Sequence, residues 1–190
     1  MVLKHFEPSK DYSWDDLDEI THKPRDLWTW PMAGLTWLAT NGYTVINVES
    51  FDYAKFMAEG SVYMQELWGR EVVAEQVKHS DIPMAQSDVP AFLENVNIQN
   101  DIPNIHQIRS YLRDGYLVIC NVNARKLNMK PGFVGHSVLV IGEDEDNLLI
   151  HDPGLPPLEN RKVIDSLFEQ AWADPNDSAK SLAAIKRAKQ

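Results

Sequence analysis

The stretch GHSVLVIGEDEDNLLIHDPG, residues 135–154, constrains the chain more than any other. Two apolar runs, SVLVIGE and NLLIHD, flank Asp144–Asn147, four residues that tolerate turn geometry, so the segment reads as an antiparallel hairpin. Folding the chain about that turn brings His136 level with Asp152 or one diagonal away on the neighbouring strand. A carboxylate bonded to one imidazole nitrogen fixes the tautomer and supports the imidazolium, which leaves the other nitrogen to act as a base toward a thiol or hydroxyl. Two readings stand side by side: a His–Asp pair that serves a nucleophile, and a hydrogen-bonded strand-end histidine beside an ordinary Asp-Pro-Gly turn. His151 adjoins Asp152 but belongs to the opposite face, and reads as structural or exposed. A metal site made of His136, His151 and Asp152 would need those faces to converge, so neither a metal nor a cofactor is expected.

A base needs a nucleophile, and the 190 residues contain one cysteine, Cys120. It lies mid-strand among Val118, Ile119 and Val122, where a free cysteine behaves as a small buried hydrophobe. A nucleophilic thiol belongs instead at a helix N-terminus, where the dipole and free amides lower its pKa and hold an oxyanion. A single cysteine also rules out an internal disulfide, which makes the cytoplasm the expected compartment.

Charge narrows the partners. The chain carries 18 basic against 28 acidic residues, a net charge of −10, and that field repels phosphate backbones and anionic lipid alike, so neither a nucleic-acid nor a membrane partner is expected. The opening MVLKHFEPSK has no apolar signal region, and no run approaches the roughly 18 apolar residues of a membrane span.

Along the chain, Val2, Leu3 and Phe6 make a short helical stripe that Pro8 ends. Ser13 with Asp16 three residues on opens a second helix, with Leu17 and Ile20 as its buried face. TWPMAGLTWLATNGYTVINVES predicts a helix with Pro31 near its start, a stop at Asn41-Gly42, and a strand over 43–48. Residues 51–77 read as helix interrupted at Gly60 and Gly69, their aromatic residues as core. The Pro-, Asp- and Asn-rich stretch HSDIPMAQSDVPAFLENVNIQNDIPN reads as irregular surface with at most one short helix, a cover over a cleft. A helix from Ile105 through Leu112 stops at Gly115 and leads into a strand over 116–122, covered on both faces. DPGLPPLENRK reads as a proline-rich loop before a helix through Ile164, Leu167, Phe168 and Trp172, and DSAKSLAAIKRAKQ as a helix-prone, frayed tail, basic at its end. Helices first and antiparallel strands later make an α+β chain, with a single domain over 1–175, mainly helical insertion or cover over 51–100, and a tail over 176–190.

The hairpin resembles the His-and-Asp segment of papain-like cysteine peptidases related to the bacteriocin-processing, double-glycine peptidase domains. There a strand bearing the His is followed, after a short turn, by a strand ending in Asp-Pro; His136 and Asp152-Pro153 occupy those positions. MAGLTWLATNGYTV resembles the helix-then-strand segment that follows the nucleophile helix, and IHQIRSYLRDGYLVICNVN the helix and central strand before the catalytic His. The likeness runs in order along most of the chain and is poor across 51–100. It implies a papain-like α+β fold, N-terminal helices packed on a mainly antiparallel sheet, with His136 and Asp152 catalytic and a peptide or amide as substrate.

The same resemblance implies a departure. In that family a Gln and the nucleophilic Cys lie at the start of the first helix, whose end commonly reads like MVLKYF, whereas this chain opens on MVLKHF. By that alignment the nucleophile helix lacks its start, Met1 reads as an internal methionine of a longer frame, and the 190 residues alone should not hydrolyse peptides. The primary reading is a cysteine peptidase or related amide hydrolase in truncated form. The alternative is a pseudoenzyme whose cleft binds a peptide or partner, and a structural domain of a larger assembly is a third possibility. Transglutaminase-like and acyltransferase chemistry share the same Cys, His and Asp logic, and oligomeric state is not legible.

Overall fold

The structure is a computed structural model that describes residues 1–154 and 156–188. Leu155, inside DPGLPPLENRK, and the last two residues of the tail lie outside the described residues.

Local signals account for the first third. Helix α1 (Val2–Phe6) is followed by α2 (Trp14–Ile20), where the Ser13 side chain accepts from the Asp16 amide and the Asp16 carboxylate accepts from the Ser13 amide. Leu17 and Ile20 are half-buried, so the inner face of α2 is only partly covered. Helix α3 (Pro31–Thr40) starts on Pro31, whose missing N–H is free of cost in a first turn, and Gly42 at φ 84° turns the chain into β1 (Tyr43–Glu49). Helices α4 (Tyr53–Glu59), α5 (Ser61–Trp68) and α6 (Arg70–His79) break at Gly60 and Gly69, both at positive φ.

The stretch HSDIPMAQSDVPAFLENVNIQNDIPN is far more regular than its turn-rich composition predicts. Residues Ile82–Asn95 form α7, at 14 residues longer than any other described helix, followed by the short strand β2 (Asn97–Gln99). Asp81 caps it by accepting from the Met84 amide, and Pro83 sits in the first turn, where proline is harmless. Pro90 lies inside the helix at a cost of about 3 kcal/mol, which burial of Ile82, Ala85, Val89 and Phe92 offsets. The turn residues concealed a helical stripe.

Helix α8 (Ile105–Arg113), capped by Asn104, leads into β3 (Leu117–Asn123); α9 (Ala124–Leu127), the hairpin β4 (Gly135–Asp144) and β5 (Asn147–Asp152) follow. Leu158–Ile164, where the sequence predicts loop and, at Ile164, helix, is strand β6 on the outer side of β5, and Ser181–Arg187, read as helix-prone and frayed, is strand β7. Between them lie α10 (Asp165–Trp172) and a 3-10 turn, Asp177–Ala179. Strand β7 is inside the sheet, whose order among the described residues is β2-β1-β7-β3-β4-β5-β6, antiparallel except for β1 with β2. Alanines 183 and 184 have high helix propensity, yet burial between β1 and β3 decides their state.

Helices and sheet together make the α+β architecture. One face packs on α3 through α7, with Leu117, Leu139, Ala183 and Ile185 in that core; the other packs on α8 and α10, with Val118, Cys120, Val138, Leu182 and Ala184. The alternation along β3 is thus covered on both sides. No described helix is long and apolar enough to cross a membrane.

Candidate active site

A straight pleat would separate the two predicted residues. From the turn upward the hairpin pairs Asp144 with Asn147, Glu143 with Leu148 and Gly142 with Leu149; continued without a break, that register sets Asp152 opposite Leu139 and points His136 to the other face. A β-bulge at Ile141 intervenes, so that Val140 pairs with Ile150 and Leu139 with His151. Asp152 therefore falls opposite Val138, on the face of His136 and one diagonal from it. The contact follows: His136 Nε2 lies 2.7 Å from Asp152 Oδ1.

Asp152 is 6% exposed, and its carboxylate is fully engaged. Oδ1 also accepts from the Gly154 amide at 3.0 Å, and Oδ2 from Arg161 Nη1 at 2.8 Å, while Arg161 Nη2 donates to the Leu127 carbonyl. Burial by itself would raise the Asp152 pKa, but the bonds from His136, Gly154 and Arg161 outweigh it and hold the carboxyl below its ordinary value. A charged acceptor of this kind requires Nε2 to carry the proton, which leaves Nδ1 as the basic nitrogen. His151 takes no part: its Nδ1 accepts from the Asn160 amide.

Cys120 sits one diagonal from His136 on the same face, since Cys120 pairs with Val138 and Val122 with His136. It is nevertheless fully buried, and burial, reinforced by the Glu169 charge, pushes its pKa well up. A sealed, neutral thiol is no nucleophile.

His136 lines a cavity of about 410 Å³. Its floor is a polar row across four adjacent strands: Glu49 on β1 pairs with Ser181 on β7, Asn121 Nδ2 on β3 donates to Ser181 Oγ at 3.0 Å, and Ser137 Oγ on β4 donates to Asn121 Oδ1 at 2.6 Å. Trp30, Phe51, Tyr53 and Trp68 form walls. A second, more apolar groove of about 440 Å³ runs between α1, α3 and the sheet, past Leu3, Leu35, Leu38 and Leu139 to Pro153. Thr29, Trp30, Pro31, Asn121 and Ser137 line both, so the groove opens beside the cavity.

No family model and no curated protein matches the chain. Among solved structures it is similar to a protein from Bacillus anthracis described as a C39-like peptidase, at 25% identity and a TM-score of 0.35, over 45% of this chain. The match spans about half of that protein, 49% of its length. With so low a score, what the site can do rests on its own geometry.

Several site residues carried no signal in the sequence. Arg161 stood in a supposed loop, and Glu49, Asn121, Ser137 and Ser181 become neighbours only through strand order. A second pair, His22 Nδ1 with Asp88 Oδ1 at 2.7 Å, joins a loop to α7 beside a cavity of about 650 Å³ between α2, α3 and α7. Its histidine is 56% exposed, and that cavity shares no lining residue with the His136 cavity.

Proposed function

We propose that this chain frames the His–Asp part of a papain-like cysteine hydrolase site acting on a peptide or amide carbonyl. The observation that carries the reading is the His136–Asp152 bond, which spends Nε2 and leaves Nδ1 without a partner among the described residues, on a side chain that lines a cavity adjoining an apolar groove. A helical segment seated in that groove would bring a thiol at its end to His136. His136 takes the thiol proton at Nδ1, the thiolate adds to the carbonyl carbon, and the proton passes to the departing amine as the C–N bond breaks. Water then cleaves the thioester with His136 again as base. Asp152 is a positioning residue that holds the ring and supports its positive charge.

The sealed state of Cys120 favours a second reading, a binding module without chemistry. Protein isolated from its native source separates the two. For a hydrolase, its intact mass exceeds 21.7 kDa by a segment that contains a cysteine, that thiol is alkylated by iodoacetamide at about pH 6, and His136→Ala slows alkylation at least about tenfold. A native protein whose sole thiol is Cys120 overturns the hydrolase reading and leaves the binding module.

A further inference from the structure

The catalytic reading uses only the His136 end of the cavity, and the opposite end is chemically distinct. Glu49, half-buried at the end of β1, receives both of its hydrogen bonds on Oε1, one from Asn47 Nδ2 at 2.5 Å and one from the Tyr53 hydroxyl. Oε2 has no partner among the described residues, and Glu49 is one of the residues that line the cavity. The other charged or titratable groups on the cavity lining are accounted for. Asp174 is held by Lys126 and Asn123, and His136 by Asp152. Tyr53 gives its hydroxyl to Glu49, and Lys23, at the rim, donates to the carbonyls of Pro24 and Leu27.

An acidic oxygen without a partner among the described residues, beside the rings of Trp30, Phe51, Tyr53 and Trp68, is a receptor for a cation: burial pushes the Glu49 carboxyl pKa up despite the bonds from Tyr53 and Asn47, a bound cation restores the charged form, and the rings supply their negative faces. A neutral polar group would satisfy the hydrogen bond but not the charge. The net charge of −10 also draws cations toward the molecule.

We infer that the Glu49 end of the cavity is a subsite for a basic side chain, guanidinium or ammonium, of an extended peptide that lies across the polar row Glu49, Ser181, Asn121 and Ser137. Three inter-strand spacings of about 4.8 Å separate the strands of Glu49 and Ser137, roughly 14 Å, the length of about four extended residues. The basic residue therefore sits about four residues from the amide that reaches His136. That last placement rests on the hydrolase reading; the binding of the basic group does not.

Isothermal titration of the 190-residue chain tests the subsite without needing any thiol. The probes are two capped tetrapeptides, one with a terminal arginine and one with citrulline, its neutral isostere, followed by Ala-Ala-Gly-amide. The arginine peptide binds at least about tenfold more tightly to the unmodified protein; Glu49→Gln, verified as folded by its far-ultraviolet spectrum, binds the two equally, and His136→Ala keeps the preference. Equal affinity of the unmodified protein for both peptides, no binding of either, or a preference that survives Glu49→Gln overturns the inference. Because the first comparison uses the unmodified chain, a Glu49 variant that failed to fold would not shield the proposal. A native protein whose sole thiol is Cys120, with the arginine preference retained, would sink the catalytic reading alone.

Discussion

At the scale of single residues, Asp152 shows how much one carboxylate can organise. It receives His136, the Gly154 amide and Arg161 at once, so removing its charge takes the counter-charge from a half-buried guanidinium as well as from the imidazole. Asp152→Asn is expected to cost roughly 1–3 kcal/mol at neutral pH. The sign with pH follows from the depressed folded pKa: the carboxylate contributes stability that is present above the unfolded value of about 3.9 and is lost as pH falls through the still lower folded value. Urea midpoints measured from pH 7 down to about pH 3 should show the gap between wild type and variant narrowing below about pH 4. Cys120 gives a second test. Its burial predicts no reaction with an aromatic disulfide reagent in native buffer, and a reaction that appears with urea along the same curve as loss of secondary structure.

At the scale of elements, the bulge at Ile141 and strand β7 matter most. The bulge shifts β4 by one residue and so decides which side of the sheet His136 faces. Strand β7 comes last in sequence yet holds β1 to β3, so its side chains reach both cores: Ile185 and Ala183 on one face, Leu182 and Ala184 on the other. Ile185→Ala should destabilise by about 2–5 kcal/mol in urea titration, whereas Trp14→Ala, at a side chain 82% exposed, should stay within about 0.5 kcal/mol. An Ile185→Ala effect as small as that at Trp14 would mean that β7 is peripheral.

At the scale of the whole molecule, one sheet separates two apolar cores, and β3 and β7 belong to both. Neither core can lose its packing while the other keeps those strands in place. Tryptophan fluorescence, which includes Trp172 in the core beneath α8 and α10, and far-ultraviolet circular dichroism should therefore trace one coincident urea transition. Two separate midpoints would contradict a shared sheet. The cavity and the groove are likewise products of the assembled whole, since each takes its lining from helices of the first half and strands of the second.

Local chemistry alone was enough for the capped helix after Ser13, the helix–strand units at 31–49 and 105–123, the breaks at Gly60 and Gly69, and the hairpin, because each depends on partners a few residues apart. The same local signals misled where long-range burial outweighed them: prolines masked α7, a Pro-rich lead-in masked β6, and alanine and lysine made β7 read as helix. His136 and Asp152 were visible as residue types at a suggestive spacing, but the turn by itself predicts the wrong register, and only the bulge brings them together. Glu49, Ser181, Asn121 and Ser137 form one row because β7 inserts between strands far from it in the chain. Pairings between such distant segments are set by which faces must leave water together, a property of the folded molecule rather than of any window of its sequence.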